Sequence, residues 1–382
     1  MHKKQPGFIL IFAFVFLALI TLLTEQLLRG VFVGTSFIKA MHEREHAKLA
    51  VYSGLNLALA QLSEHDYTLD SQATTPAGTA PVKKTDGNQT EVQLFLQNIL
   101  PHLNRWQVFD LDEKKDSAAM HIKICISCED GKININEVFD FDKQVMRPEA
   151  SSLIKGLEIR GKVAAGAIYT KLEEFFIQRK KKVHDISEFY EISEFKELDI
   201  FYRPPEIPAK KTDKYEANKT VALQDIFTIW SSGQLDAMML SDGMCTLLGL
   251  RRPLANDAQL LKDKFKQLIT TFDPAVYANQ DELWKILEPI YLQKPRILAD
   301  MQGLFSKQFG PAVYSVLSYG RVGSVEQRLL AIVKKVSGAD LDVQDTSNTT
   351  TAPDIKTVQN NLADKSKEQK KSVFRVVRLY WL

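Results

Sequence analysis

The densest set of chemistry-bearing side chains is His42-Glu43-Arg44-Glu45-His46, which fits the H-E-x-x-H pattern of zinc peptidases. On a helix, His42 and His46 fall on one face, as two ligands of a single zinc ion must, with Glu43 placed as general base. Glu64 follows at a spacing that some zinc peptidases use for a third ligand. Two features oppose that chemistry. Arg44 and Glu45 put charges at the inner positions, where such helices carry uncharged residues, and the segment follows an apolar run, where a charged collar is expected. The collar is the favoured reading, with a membrane-anchored zinc metallopeptidase as the remote alternative.

The thiols are Cys125, Cys128 and Cys245. Cys125 and Cys128 form a C-x-x-C inside Met120–Cys128, a run that alternates like a strand. Residues three apart on a strand point to opposite faces, so a local bridge would be strained. No second pair completes a zinc tetrahedron, and buried structural cysteines are expected. Redox or metal chemistry is the alternative. The sequence holds no Ser-centred elbow, phosphate loop or cofactor fingerprint. With 49 basic and 47 acidic side chains, the net charge of +2 leaves no excess of cations to displace counterions from a nucleic acid. The expectation is a protein that is not an enzyme and binds no nucleic acid.

What must position these residues begins at the N-terminus. After Met1-His2-Lys3-Lys4-Gln5-Pro6-Gly7, the segment Phe8–Thr24 carries no charge and as a helix is about 25 Å long, close to a hydrocarbon core. A cleaved secretory signal would need a small-x-small site after the apolar stretch. Glu25 and Arg29 stand there instead, an i, i+4 pair on a continuing helix. The apolar period persists through Phe32, Phe37, Ile38, Met41, Leu49, Tyr52, Leu55, Leu59 and Leu62. One helix over 8–62, with 8–28 in the membrane, would be about 80 Å long.

A short basic leader ending in Gly, then Phe, then an unbroken apolar helix resembles the processing site of type IV pilins and type II secretion pseudopilins. The resemblance implies residues 1–7 as a prepilin leader, a cut between Gly7 and Phe8 by a prepilin peptidase, and methylation of Phe8. An ordinary signal anchor or a divergent pilin shares the leader pattern. Most members carry Glu at the fifth residue after the cut, and here that residue is Phe12. A carboxylate at that depth needs a partner, which in assembled pili is a neighbour's N-terminal amine. A subunit with no neighbour above it can lose the acid, as pseudopilin K proteins typically do. The run Asp130-Gly131-Lys132-Ile133-Asn134-Ile135-Asn136 resembles a second motif of that family. Its residues read as a turn at Asp130-Gly131, then a strand with Asn134 and Asn136 on one face and Ile133 and Ile135 on the other. A structural role, satisfying backbone groups where the chain leaves the sheet, is favoured over a ligand role.

The body reads as α+β. Val92–Leu103 is apolar at helical spacing, and Arg105–Leu111 and Ala118–Cys128 alternate as strands around a polar turn, Asp112–Asp116. Ala150–Arg179, Asp257–Phe272, Asp281–Leu292 and Ile297–Phe309 have a helical period, and Leu235–Leu250 reads as two short helices about a Ser-Asp-Gly turn. Ile226–Trp230 stands where the family has a second Asn-rich strand. Ala312–Tyr319, Val325–Val336 and Val373–Trp381 are strand candidates. Thr68–Gln89 reads as a linker loop and 340–371 as a disordered loop. The resemblance implies a long N-terminal transmembrane helix on an antiparallel pilin-like sheet (90–145 and 310–382), with an inserted all-helical domain over 146–309. It further implies a minor pseudopilin at the pseudopilus tip that starts assembly and limits fibre growth. Its partners would be the minor pseudopilins I and J and other pseudopilins. The place would be the bacterial inner membrane, single-pass, with the body in the periplasm. Calcium in the body is implied too, with no ligands placed. A minor type IV pilin that primes an adhesive pilus is the alternative.

Overall fold

A computed structural model describes residues 6–64, 91–112, 119–161, 167–192, 223–250, 268, 272–291, 303–336 and 373–382. The expected linker over 68–89 and loop over 340–371 lie outside these residues. So do most of the expected helix 257–272, residues 297–302 of the helix expected over 297–309, and most of the turn 112–116.

Helix α1 runs unbroken from Pro6–Glu64. No proline follows Pro6 within it, so nothing in the sequence interrupts the helix. The lower half is exposed all round, with Leu10 70% and Phe14 76% exposed, and it is long and apolar enough to cross a membrane. The upper half is one-sided: Ala47, Ala50, Val51, Leu55, Ala58 and Leu62 are buried while Leu49 and Tyr52 face outward.

That buried stripe lies on a five-stranded sheet of β1 (Trp106–Leu111), β2 (Met120–Cys128), β7 (Val313–Val322), β8 (Val325–Val336) and β9 (Val373–Trp381). Every neighbouring pair is antiparallel. Register places Ile122, Ile124, Val316, Ser318, Leu329, Ala331 and Val333 on the α1 face. Contact is close because the facing residues are small. A Cβ on Gly320 would stand 2.7 Å from the Ala47 carbonyl oxygen, and Ser318 Oγ donates to the Val51 carbonyl at 2.7 Å.

The remaining elements gather at one end of this sheet. They are α2 (Glu91–Ile99), the short pairs β3 (Ile133–Asn134) with β6 (Phe227–Thr228) and β4 (Phe139–Asp140) with β5 (Val145–Met146), and the helices α3 (Pro148–Gly161), α4 (Ala167–Arg179), α5 (Asp242–Leu247) and α6 (Gln280–Tyr291). Fold class is thus α+β, a long apolar helix on an antiparallel sheet with further helices.

Three expectations are corrected. Leu235–Leu240 is not helical, because its amides are used by the sheet end: Asp236 N–H donates to the Asp130 carbonyl at 2.8 Å and Ser241 N–H to the Gly131 carbonyl at 3.2 Å. Ser241 is instead the N-cap of α5, its hydroxyl accepting from Met244 N–H at 3.2 Å. Residues 303–309 form no α-helix, since Leu304 and Ser306 exchange backbone bonds with Leu235, each 2.8 Å long. The strand after Lys132 stops at Asn134, and Ile135–Glu137 is a 3-10 turn.

Candidate functional site

Two places carry the residues singled out by sequence. The first is α1. Gly7 and Phe8 lie in its first turn, and Phe12 stands 67% exposed on its apolar half. From Thr24 to Glu43 the helix rises about 28 Å before it meets the sheet. There Glu43 takes the Ser324 N–H (3.4 Å) and hydroxyl (3.2 Å) on the tight turn between β7 and β8, with Lys39 3.8 Å away. Gly323 on that turn has φ +57, and a Cβ there would press on the Glu43 carboxylate.

Glu43 is therefore bound to the hairpin turn. His42 and His46 pack edge to face with ring centroids 4.2 Å apart, and Glu45 pairs with Lys48 at 2.7 Å. The side chain of Glu64 lies outside the described residues.

The second place is the opposite end of the sheet, where β2 ends and β7 begins. The sequence forms a turn there because Asp130-Gly131 closes a 3-10 segment, Glu129–Gly131, that redirects the chain from β2 to β3. Asp130, 4% exposed, gathers three backbone amides: Ala312 at 2.7 Å and Val313 at 2.9 Å on one oxygen, Ser232 at 3.3 Å on the other. Burial pushes its carboxyl above the usual range, while those three amides pull it back. Gly131 passes so near the 238–240 backbone that a Cβ would stand 1.8 Å from the Met239 carbonyl oxygen. Only glycine leaves room there.

Lys132 and Glu129 form a buried ion pair at 2.5 Å. Asn134 accepts from Asn136 N–H at 3.0 Å and donates to the Ser231 carbonyl at 2.7 Å. Asn136 binds Val183 through both its amide groups, at 2.9 and 2.7 Å, tying the segment to the chain leaving α4. Asp130, Asn134 and Asn136 thus each tie this segment to backbone remote in sequence, whereas Lys132 pairs locally with Glu129.

Sequence reasoning missed Asp225, Asp236 and Tyr277, which converge on the same end. Tyr277 donates to Asp236 Oδ1 at 2.6 Å, and Met238 N–H to the same oxygen at 3.0 Å. Burial pushes Asp236 and Asp225 each up to about 6. A signal existed: Asp236 and Asp242 sit inside an otherwise apolar run, where a carboxylate needs a stated partner.

Calcium, implied by the resemblance, can be tested on this donor set. Both Asp130 oxygens are taken by amides and Glu129 by Lys132. Among the described residues, no group of three or more acidic, His or Cys side chains is arranged to hold a metal ion. The described donors do not fit calcium.

The cysteines are free and buried. Cys125 packs with Leu317 and Leu330 on the face away from α1, whereas Cys128 belongs to the main core. Burial pushes Cys125 up to about 12 and Cys128 well above its ordinary value, so neither is available as a thiolate nucleophile.

No family model matches the sequence, and no curated protein matches it. Among solved structures, a chain of the GspK-GspI-GspJ complex from the enterotoxigenic Escherichia coli type 2 secretion system is similar. It is 12% identical, with a TM-score of 0.39, and the match covers 90% of this chain and 98% of that one.

Proposed function

We propose that this chain is a minor pseudopilin of a type II secretion system, resembling pseudopilin K, that sits at the pseudopilus tip, starts assembly and limits fibre growth. The observation that carries the reading is the placement of the helical elements relative to the membrane-suited half of α1. Glu43 holds the Ser324 turn, so that turn is the end of the sheet nearer the membrane-suited half of α1. Strand β7, about 33 Å long, then puts Val313 and its clamp Asp130 at the far end. On this reading the elements flanking Asp130 lie at the end away from the membrane-suited half of α1, where they would obstruct a subunit added above.

Phe12 supports the same position, since a subunit without an upper neighbour has no use for an acid at that depth. The prepilin leader, its cut at Gly7–Phe8 and methylation of Phe8 belong to the proposal. So do the inner-membrane anchor with a periplasmic body, the I and J minor pseudopilins as partners, and a role that is structural rather than enzymatic.

Gold labelling of sheared pseudopili, or of pili made by overproducing the major subunit, tests the position. Label is expected at one fibre end, with fibre number falling when the gene is deleted. Phe12→Glu should leave secretion near the wild-type level, because the added carboxyl gains no obligatory partner. Label along the shaft, or homopolymeric filaments of this protein, would replace the tip assignment with a shaft subunit.

A further inference from the structure

The seam at the far end of the sheet buries more acid than it neutralises. Glu129, Asp130 and Asp236 are each 3–4% exposed, and the half-buried Asp225 lies beside them. Among the described residues two buried cations stand at this end, Lys132, which is bound to Glu129, and Lys335 of β8, whose backbone N–H donates to the Ala312 carbonyl, against four acids. Asp236 is the critical member. Its Oδ1 accepts from Tyr277 and Met238, but its Oδ2 is buried and meets no donor. A bare carboxylate oxygen in that position is costly, and either a cation or a proton can relieve it.

The groups facing Asp236 decide between these. From the sheet end they are Asp130, whose carbonyl takes the Asp236 N–H, and the Cys128 thiol. From the helical side they are the hydroxyl of Tyr277 and, beside it, that of Tyr291, which donates to the Ala237 carbonyl at 2.8 Å. All are acidic or neutral, and the Asp130 oxygens that might share an ion are already occupied by amides.

We propose that Asp236 is a proton-held latch: neutral, it closes the seam between the sheet end and the Tyr277 side of the helical elements, and ionised, it loosens that seam. Loop 235–241 is the segment the latch would release: most of its backbone bonds run across the seam to Asp130, Gly131, Leu304 and Ser306, and Met239 N–H to the Asp236 carbonyl lies within it. Burial, reinforced by the Asp130 charge and opposed by the Tyr277 and Met238 bonds, pushes the carboxyl up to about 6. Since the folded value lies above the usual 3.8, this group's contribution is full below 3.8, declines as pH rises toward about 6, and is flat beyond. Across that window one such acid lowers the folding constant about a hundredfold.

The test is thermal and urea unfolding of the full chain in detergent between pH 4 and 8, with calcium chloride or with EDTA. Wild type should lose about a hundredfold more stability than Asp236→Asn between pH 4 and 6.5, with neither calcium nor EDTA changing the result. Isotope-edited infrared spectra of chains carrying labelled aspartate, taken as wild type minus Asp236→Asn, separate Asp236 from Asp225, whose carboxyl is also pushed up to about 6. A protonated carboxyl band should be present at pH 5 and fade by pH 7. The proposal is overturned if that band is missing at pH 5, or if wild type and Asp236→Asn show the same pH slope. It is overturned equally if calcium stabilises the wild type at neutral pH and that effect vanishes in Asp236→Asn, for then a cation occupies the place of the proton.

Discussion

Gly320 on β7 lies directly under Ala47 of α1, with room for a hydrogen but not for a methyl group. A Cβ there would stand 2.7 Å from the Ala47 carbonyl oxygen and 2.9 Å from the Val51 amide nitrogen, both rigid backbone atoms. The long helix and the sheet are therefore held at a separation set by the smallest side chain. Gly320→Ala should destabilise the body by about 1–3 kcal/mol through overpacking. Urea unfolding of the full chain in detergent measures this. Ser318→Ala, which removes a single hydroxyl bond to Val51, should cost about 1 kcal/mol. If Gly320→Ala unfolds like wild type, the helix is not seated as described.

Asp130 holds the start of β7 and the Ser232 loop together with one side chain. Asp130→Ala would leave three amides without their acceptor, and a loss of about 3 kcal/mol or more is expected. Asp130→Asn keeps one acceptor oxygen and should lose less. Limited proteolysis should find new cuts near 232–241 and 310–312 before the sheet itself is degraded. Equal stability of all three proteins would mean that the clamp contributes little.

Processing at Gly7 is checked by intact-mass measurement. The mature chain is expected to begin at Phe8 with a methylated amine. Gly7→Leu should keep the leader attached, because a prepilin site tolerates only a small residue before the cut. A mature N-terminus beyond the apolar run would remove the pilin reading altogether.

Replacing His42 and His46 together with Gln should leave zinc content and peptide hydrolysis unchanged, since on the collar reading neither binds metal; Glu43 between them is engaged by Ser324. Glu43→Gln should cost less than about 1 kcal/mol, as expected for a part-exposed contact at a turn. Stoichiometric zinc that disappears in the double variant would restore the peptidase reading.

Whatever depends on near neighbours in the chain was legible without a structure. The α1 helix followed from an unbroken apolar period, and β1 and β2 from alternation. The opposite facing of Cys125 and Cys128 followed from strand geometry alone. Tertiary structure decided the rest, because backbone amides bond to whatever packs against them. Leu235–Leu240 has helix-forming residues, yet its Leu235 and Asp236 amides are engaged by Leu304 and Asp130, both remote in sequence. Glu43 reads in the sequence as part of a charged collar, and only the fold supplies its partner, Ser324, remote in sequence. Folding buries Asp236, and that burial pushes its carboxyl up to about 6 against the opposing bonds from Tyr277 and Met238. Periodicity reports which face of an element is apolar, whereas the partner of a buried polar atom is chosen by a segment that may be anywhere in the chain.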